Sequence, residues 1–313
     1  MNAIRRILCP TDFTEFSRRA LWHAVTLARW KGCELVVLHV RQPAEVPVHA
    51  AASVRAWSGS RDAVTKDPGR ARAEAALKAF VEPAFGTGVE MRTVIQEGVE
   101  IDEILREVRA LGADLLVMGT HGRGGFERFM LGSVTEQVLR RADCPVLVVP
   151  SPHGGSEEVE EDSPAGPGSP YAHIVCPLDF SETSLAALHQ AVRMAREAGA
   201  RLTVVHAVEL PPSRIGEPDA APLAELRRRL SDGAVERVME VLARESWNGM
   251  PVDSVVLAGK AYQEILSVAE DLFADLIVMG VSGRADADRA LFGSTVQHVT
   301  RAAVCPVLTV HAA

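Results

Sequence analysis

A chain of 313 residues with 47% hydrophobic and 24% charged residues has the make-up of a globular protein of two ordinary domains. A net charge of −8 and a pI near 5.7 argue against a nucleic-acid partner, which needs a basic face. The longest apolar runs, such as Leu115 to Met118, fall far short of the roughly 18 residues that span a bilayer, so no membrane partner is expected.

In chain order, the opening MNAIRRILCPTDF reads as a first buried strand near Ile4–Cys9, its apolar stretch being too short for a signal h-region. Phe16, Ala20, Ala24, Leu27 and Ala28 then fall on one helical face. A strand follows at Glu34–Val40. The polar, proline-bearing stretch from Arg41 to Gly69 is too long for a simple connection and reads as a lid or an unstructured insertion. Further strands are expected at Glu90–Gln96, Leu115–Met118 and Val146–Val149, with a helical face made by Ile101, Ile104, Leu105 and Val108. The second half offers strands at Ile174–Cys176, Leu202–Val208, Val252–Leu257, Leu276–Met279 and Val307–Val310.

The halves repeat one another. ILCPTDF (from Ile7) returns as IVCPLDF (from Ile174), LVVLHV as LTVVHA, ADLLVMG as ADLIVMG, and CPVLVV (from Cys144) as CPVLTV (from Cys305). Between the copies, the Pro-, Gly-, Ser- and acid-rich stretch 151–170 has no apolar face and reads as a flexible linker between a domain at 1–150 and another at 171–313. Strand–helix alternation with continuous apolar strands means α/β units, each a parallel sheet with helices on both faces. The last runs, Val146–Val149 and Val307–Val310, are too apolar for bare sheet edges. They are expected to pair with each other, within the chain or in a swapped homodimer. The five cysteines are odd in number and include no C-x-x-C pair, which speaks against disulfides or zinc and fits a reducing cytoplasm.

Each half also carries a glycine-punctuated loop after an apolar run: Gly119, Gly122 and Gly132 in the first, Gly280, Gly283 and Gly293 in the second. The last glycine of each is followed by a serine, Ser133 or Ser294, and then by a helical stretch. A helix N-terminus preceded by glycine offers amide N–H groups and a positive dipole end to an anion. The loop therefore reads as a phosphate cradle, to which Arg123 and Arg128, or Arg284 and Arg289, add charge. The alternative for either serine alone is an ordinary N-cap. No Walker loop is present, and no strand leads directly into G-x-G-x-x-G.

These motifs, PTDF after the first strand, LHV, ADLLVMGTHGRGG, LGSVTEQV and CPVLVV, resemble those of the universal stress protein family in a tandem two-domain form. The G-x2-G-x9-G-S pattern resembles the branch of that family that binds ATP. The resemblance implies five parallel strands per domain, Rossmann-like in the order 3-2-1-4-5, paired along the last strand. It also implies a stress-response binding or signalling module that holds ATP, with or without Mg²⁺. By the same resemblance, Asp12, Val40, Met118, Gly119, Gly122, Arg123, Gly132, Ser133 and Val134 line a first nucleotide site. Asp179, Ala207, Met279, Gly280, Gly283, Arg284, Gly293, Ser294 and Thr295 line a second. The aspartates would meet ribose hydroxyls, and Val40 and Ala207 would meet adenine through their backbone. Each aspartate also reads as a plain turn residue before a helix, and each methionine equally as core. Asp286 and Asp288 in the second loop would repel a triphosphate unless Mg²⁺ intervened, which leaves the second site the weaker expectation. His39 and His206, inside apolar strands, read as satisfied core histidines, and Cys9 and Cys176 as packing residues. His121 reads as a loop residue beside phosphate, since no G-x-S-x-G elbow supports a catalytic triad with Ser133 and Asp12. No residue is clearly placed as a base for water, so hydrolysis would be slow at most. The competing readings are a nucleotide-free scaffold that binds partner proteins, and a slow ATPase.

Overall fold

The computed structural model describes residues 4–42, 68–120, 131–150, 168–209, 221–245, 247, 249–281 and 293–311. The first half runs β1 (Arg6–Pro10), α1 (Glu15–Lys31), β2 (Glu34–Arg41), α2 (Pro68–Val81), β3 (Met91–Glu97), α3 (Glu100–Leu111), β4 (Leu115–Gly119), α4 (Ser133–Arg141) and β5 (Val146–Val149). The second repeats the order with β6 (His173–Pro177), α5 (Glu182–Ala198), β7 (Arg201–Val208), α6 (Ala221–Ala243), β8 (Val252–Ala258), α7 (Ala261–Asp271), β9 (Leu276–Gly280), α8 (Ser294–Ala302) and β10 (Val307–Val310). Every expected strand is present within two residues at each end. Ile4 packs on the core without joining the ladder. Helices α2 and α6 answer to no helical face picked out from the sequence. Residues 43–67 of the insertion and 151–167 of the linker lie outside the described residues.

All ten strands form one sheet in the order β3-β2-β1-β4-β5-β10-β9-β6-β7-β8. Within each half the pairing is parallel and the order is the expected 3-2-1-4-5. The expected pairing of the last strands is made within the chain. β10 runs antiparallel to β5, with Val307 opposite Val148 and Leu308 opposite Leu147. Thr309, fully buried at this seam, donates from Oγ1 to the Val146 carbonyl at 3.1 Å, so its hydroxyl is satisfied where an unpaired one would be costly.

Two apolar layers sandwich the sheet. One collects α1, α2, α5 and α6 through Leu21, Leu27, Phe80, Leu188 and Val238, among others. The other collects α3, α4, α7 and α8 through Ile104, Leu139, Ile265 and Val299. Both layers run unbroken across the β5–β10 seam, because successive residues of these strands point to opposite faces. The helical faces read from the sequence are the buried ones, with Phe16 and Ile101 only part-buried at their ends.

The first helix of each half starts and stops by the same chemistry. Thr14 caps α1 through the Ser17 amide and Ser181 caps α5 through the Ser184 amide. Gly32 and Gly199 end them in the left-handed conformation, with φ of 62° and 66°. Lys31 of α1 pairs with Glu197 of α5 across the seam on one face. On the other, Glu136 of α4 receives Gln297 Nε2 of α8 at 3.2 Å.

Candidate functional site

The chain reverses its direction of travel across the sheet at β1 and again at β6. β1 lies between β2 and β4, and β6 between β7 and β9. Such switch points open a crevice outside the carboxyl ends of the strands, where ligands of open α/β sheets sit. Six elements, β6, α5, β7, α7, β9 and α8, line the crevice of the second half, and the first half carries their counterparts in the same order.

After β1 and β6 the chain enters a tight turn. Asp12 Oδ1 accepts from the Thr14 amide at 3.1 Å and hydroxyl at 2.6 Å. Asp179 Oδ1 accepts from the Ser181 amide at 3.0 Å and hydroxyl at 2.5 Å. The plain turn role of both aspartates is therefore real, and the turn fixes each carboxylate at the crevice floor. The residues that follow, Phe13 and Phe180, are left-handed with φ of 66° and 65°. A bulky residue there costs about 1–2 kcal/mol, and sequence reasoning passed over it despite the repeated PTDF and PLDF. What holds the turn is a buttress from the neighbouring strand. His39 Nδ1 bonds the Thr11 carbonyl at 2.8 Å and His206 Nδ1 the Leu178 carbonyl at 2.6 Å. Because a carbonyl only accepts, both histidines carry the proton on Nδ1. Each imidazole also packs on the strained phenylalanine, at 4.2 Å and 4.7 Å between ring centres. The core-histidine expectation gains a specific task here, holding the aspartate turn.

The other wall comes from β4 and α4, or β9 and α8. The amide of Gly132 donates to the Thr120 carbonyl at 2.7 Å, and that of Gly293 to the Val281 carbonyl at 3.2 Å. These bonds close the base of each glycine loop. The serines are not N-caps, contrary to the blander reading: Gly132 and Gly293 hold the cap positions and Ser133 and Ser294 are the first helical residues. Glycine has no side chain to cap with, and among the described residues no side chain caps either helix, whose first-turn amides suit an anion. Both serines are exposed.

Gly119 and Gly280 prove to be glycine for packing. A Cβ on Gly119 would stand 2.8 Å from the Phe16 carbonyl oxygen, and one on Gly280 2.7 Å from the Thr183 carbonyl carbon. The first turn of α1 or α5 thus lies directly on the strand end. Met118 and Met279 are buried in the α3/α4/α7/α8 layer, and Met279 also reaches the crevice.

In the second half the crevice is a cavity of about 640 Å³. It is lined by Asp179, Ala207, Met279, Gly280, Gly293, Ser294 and Thr295, which are all seven of the described residues named for that site from the sequence. Gly283 and Arg284 lie outside the described residues. So do Gly122 and Arg123 of the first half, with His121, Asp286 and Asp288. Sequence reasoning missed Leu178, Ser184, Val205, Glu209, Ala261 and Ile265 on the walls. No motif marks them, since the fold alone brings the end of β7 and the start of α7 to the crevice. Among the described lining residues the charged ones are Asp179 and Glu209. In the first half Asp12, Val40, Met118, Gly119, Gly132, Ser133 and Val134 occupy the equivalent strand ends and helix start.

All five cysteines are buried free thiols. Desolvation pushes Cys9 up to about 12 and raises Cys176 further, so neither supplies a thiolate at neutral pH.

Comparison with known proteins agrees with this architecture. The model of the universal stress protein family matches twice, over residues 3–150 and 170–311. A universal stress protein of Methanocaldococcus jannaschii is 35% identical over 151 residues, covering 48% of this chain and 85% of that protein. One from Mycobacterium tuberculosis is 31% identical over 202 residues, covering 63% of this chain and 61% of its own length. The crystal structure of a universal stress protein from Archaeoglobus fulgidus covers all of both chains with a TM-score of 0.67 at 21% identity, a likeness of fold. A doubled β/α unit and two matches to one family model lead to one conclusion: this chain belongs to the universal stress protein family, in a tandem two-domain form.

Proposed function

We propose that this protein binds adenine nucleotide, ATP first among them, at the switch point of each half, and serves as a stress-response binding or signalling module of the cytoplasm. The observation that carries the reading is the cavity of about 640 Å³ in the second half, within the roughly 300–1,000 Å³ usual for small-molecule sites. Its chemistry is graded. At the β9 side the uncapped start of α8 suits phosphates, with Ser294 as a hydroxyl donor. Asp179 at the centre suits ribose hydroxyls. Val205, Ala207 and Ile265 at the β7 side suit a flat base. In this reading the phosphates are held with or without Mg²⁺, and the two domains extend over 1–150 and 171–313.

Rapid hydrolysis is not part of the proposal. The Asp179 Oδ1 is committed to the helix-capping turn and the His206 Nδ1 to a backbone carbonyl, and each is held where it serves the fold. Activation of water would need a group released from such work.

Equilibrium dialysis of the purified chain against ATP tests the reading, with Gly293→Val and Ser294→Ala as variants. The valine should abolish binding at the second site by filling the phosphate approach. The alanine should weaken it by about 1–3 kcal/mol, the worth of one hydrogen bond to a charged group. Saturable ATP binding left unchanged by Gly293→Val in a folded protein would remove the phosphate cradle from the account. A total lack of binding would favour the scaffold reading. That second reading has one observation in its favour. Phe273 is 88% exposed and left-handed, at the position where the first half has Gly112.

A further inference from the structure

The two halves carry a carboxylate beside the matching strand end by different routes. In the second half, Val205, Ala207 and Glu209 follow one another at alternate positions along β7 and past its end, and all three line the cavity. Ala261, at the start of α7, faces them across it. The matching positions of the first half are Leu38, Val40, Gln42 and Glu100. There Gln42 Nε2 donates to Glu100 Oε1 at 3.0 Å. The Glu100 carboxylate therefore stands against the side chain that takes the place of Glu209.

The position of Glu209 gives it a chemical meaning. β7 and β9 are two strands apart, about 10 Å, with β6 between them. A ligand whose phosphates lie at the start of α8 extends its other end over β7, among Val205, Ala207, Ala261 and Ile265. Among the described residues Glu209 is the charged group at that apolar end, and no described residue forms an ion pair or hydrogen bond with it. A carboxylate accepts hydrogen bonds and cannot donate them. It favours an exocyclic amino group on a bound base and opposes an exocyclic carbonyl, whose lone pairs would face its own.

We infer that Glu209 is a base-reading residue of the second half, selecting a purine with an amino group at position 6 over one with a carbonyl there. The inference rests on the nucleotide-binding reading above.

The test uses the full chain carrying Ser133→Asp, which places a like charge at the first phosphate cradle. An acid also suits the first turn of α4 and so preserves the helix. Calorimetric titration with ATP and with inosine triphosphate compares ligands that differ at position 6, amino against carbonyl. With Glu209 present, ATP should bind about tenfold more tightly, a difference of about 1.4 kcal/mol. Glu209→Gln keeps an acceptor and gains a donor, so inosine triphosphate should tighten and the preference collapse towards parity. Glu209→Asp should retain part of it. An unchanged ATP preference in Glu209→Gln, with ATP still bound, would overturn the role of Glu209 and leave the nucleotide reading standing. Binding of neither nucleotide by the Glu209 protein would overturn both.

Discussion

Replacing Gly119 or Gly280 with alanine separates two reasons for the glycine. From the sequence both belong to a loop that reads as a phosphate cradle, yet the structure gives each a packing task. The added Cβ on Gly280 would sit 2.7 Å from the Thr183 carbonyl carbon and 2.8 Å from its Cβ. The Gly119 Cβ would sit 2.8 Å from the Phe16 carbonyl oxygen and 3.0 Å from its carbon. The carbonyl atoms belong to the backbone of the first turn of α1 or α5 and the Thr183 Cβ is fixed to it, so relief requires moving the helix. Overpacking of this kind costs about 1–3 kcal/mol, against roughly 0.5–1 kcal/mol gained by removing a flexible glycine from a strand. A net loss of about 1–2 kcal/mol is expected for each variant with no ligand present. Urea denaturation reads it out, with Trp22 and Trp30 reporting on the first half and Trp247 on the second. With urea slopes of about 1–3 kcal/mol per molar, the midpoint should fall by about 0.5–1 M in the half that carries the change. Nucleotide affinity should fall too, since the displaced turn carries Asp12 or Asp179. Alanine variants as stable as the parent would refute the packing argument and return both glycines to the ligand.

Two further outcomes follow from single residues. His23 accepts from or donates to the Tyr171 hydroxyl at 3.0 Å, and desolvation pushes its pKa down to about 4. Its neutral form belongs to the fold while the unfolded chain protonates near 6.5. Stability should thus be lost as pH falls from about 6.5 towards 4, by about 1–2 kcal/mol at pH 5. Urea midpoints at pH 7, 6 and 5 should show a shallower decline in His23→Gln, and equal declines would discard the assignment. Phe273→Gly should stabilise the chain by about 0.5–1 kcal/mol, the left-handed penalty of about 1–2 kcal/mol exceeding the flexibility that glycine adds to the unfolded chain. Little burial is lost from a side chain 88% exposed, and a destabilised variant in thermal melts would show that the ring packs where the structure leaves it bare.

What the sequence determined by itself is whatever local pattern encodes. Short β-branched runs, one-faced apolar spacing in α1 and α3, and a motif set repeated over a whole domain specified ten strands and the doubling. The apolar character of Val146–Val149 and Val307–Val310 even required them to pair. Helices α2 and α6 stayed illegible because few of their residues enter the core. Leu77, Phe80 and Val81 are the buried positions of α2, too few to set a period against its five alanines. In α6 the buried side chains are Val238 and Leu242, among those described. The loop glycines were legible from their repeated spacing, and Asp12 and Asp179 from the family resemblance and their place before a helix. Only the tertiary structure decided that β5 meets β10 antiparallel within one chain, since nothing in the linker length chose between one chain and two. It alone gave Gly280 its reason in Thr183, nearly a hundred residues earlier, and joined Glu209 to Ala261 across one crevice. Contacts of that kind depend on where strand ends and helix starts converge, and convergence is set by the packing of the whole sheet.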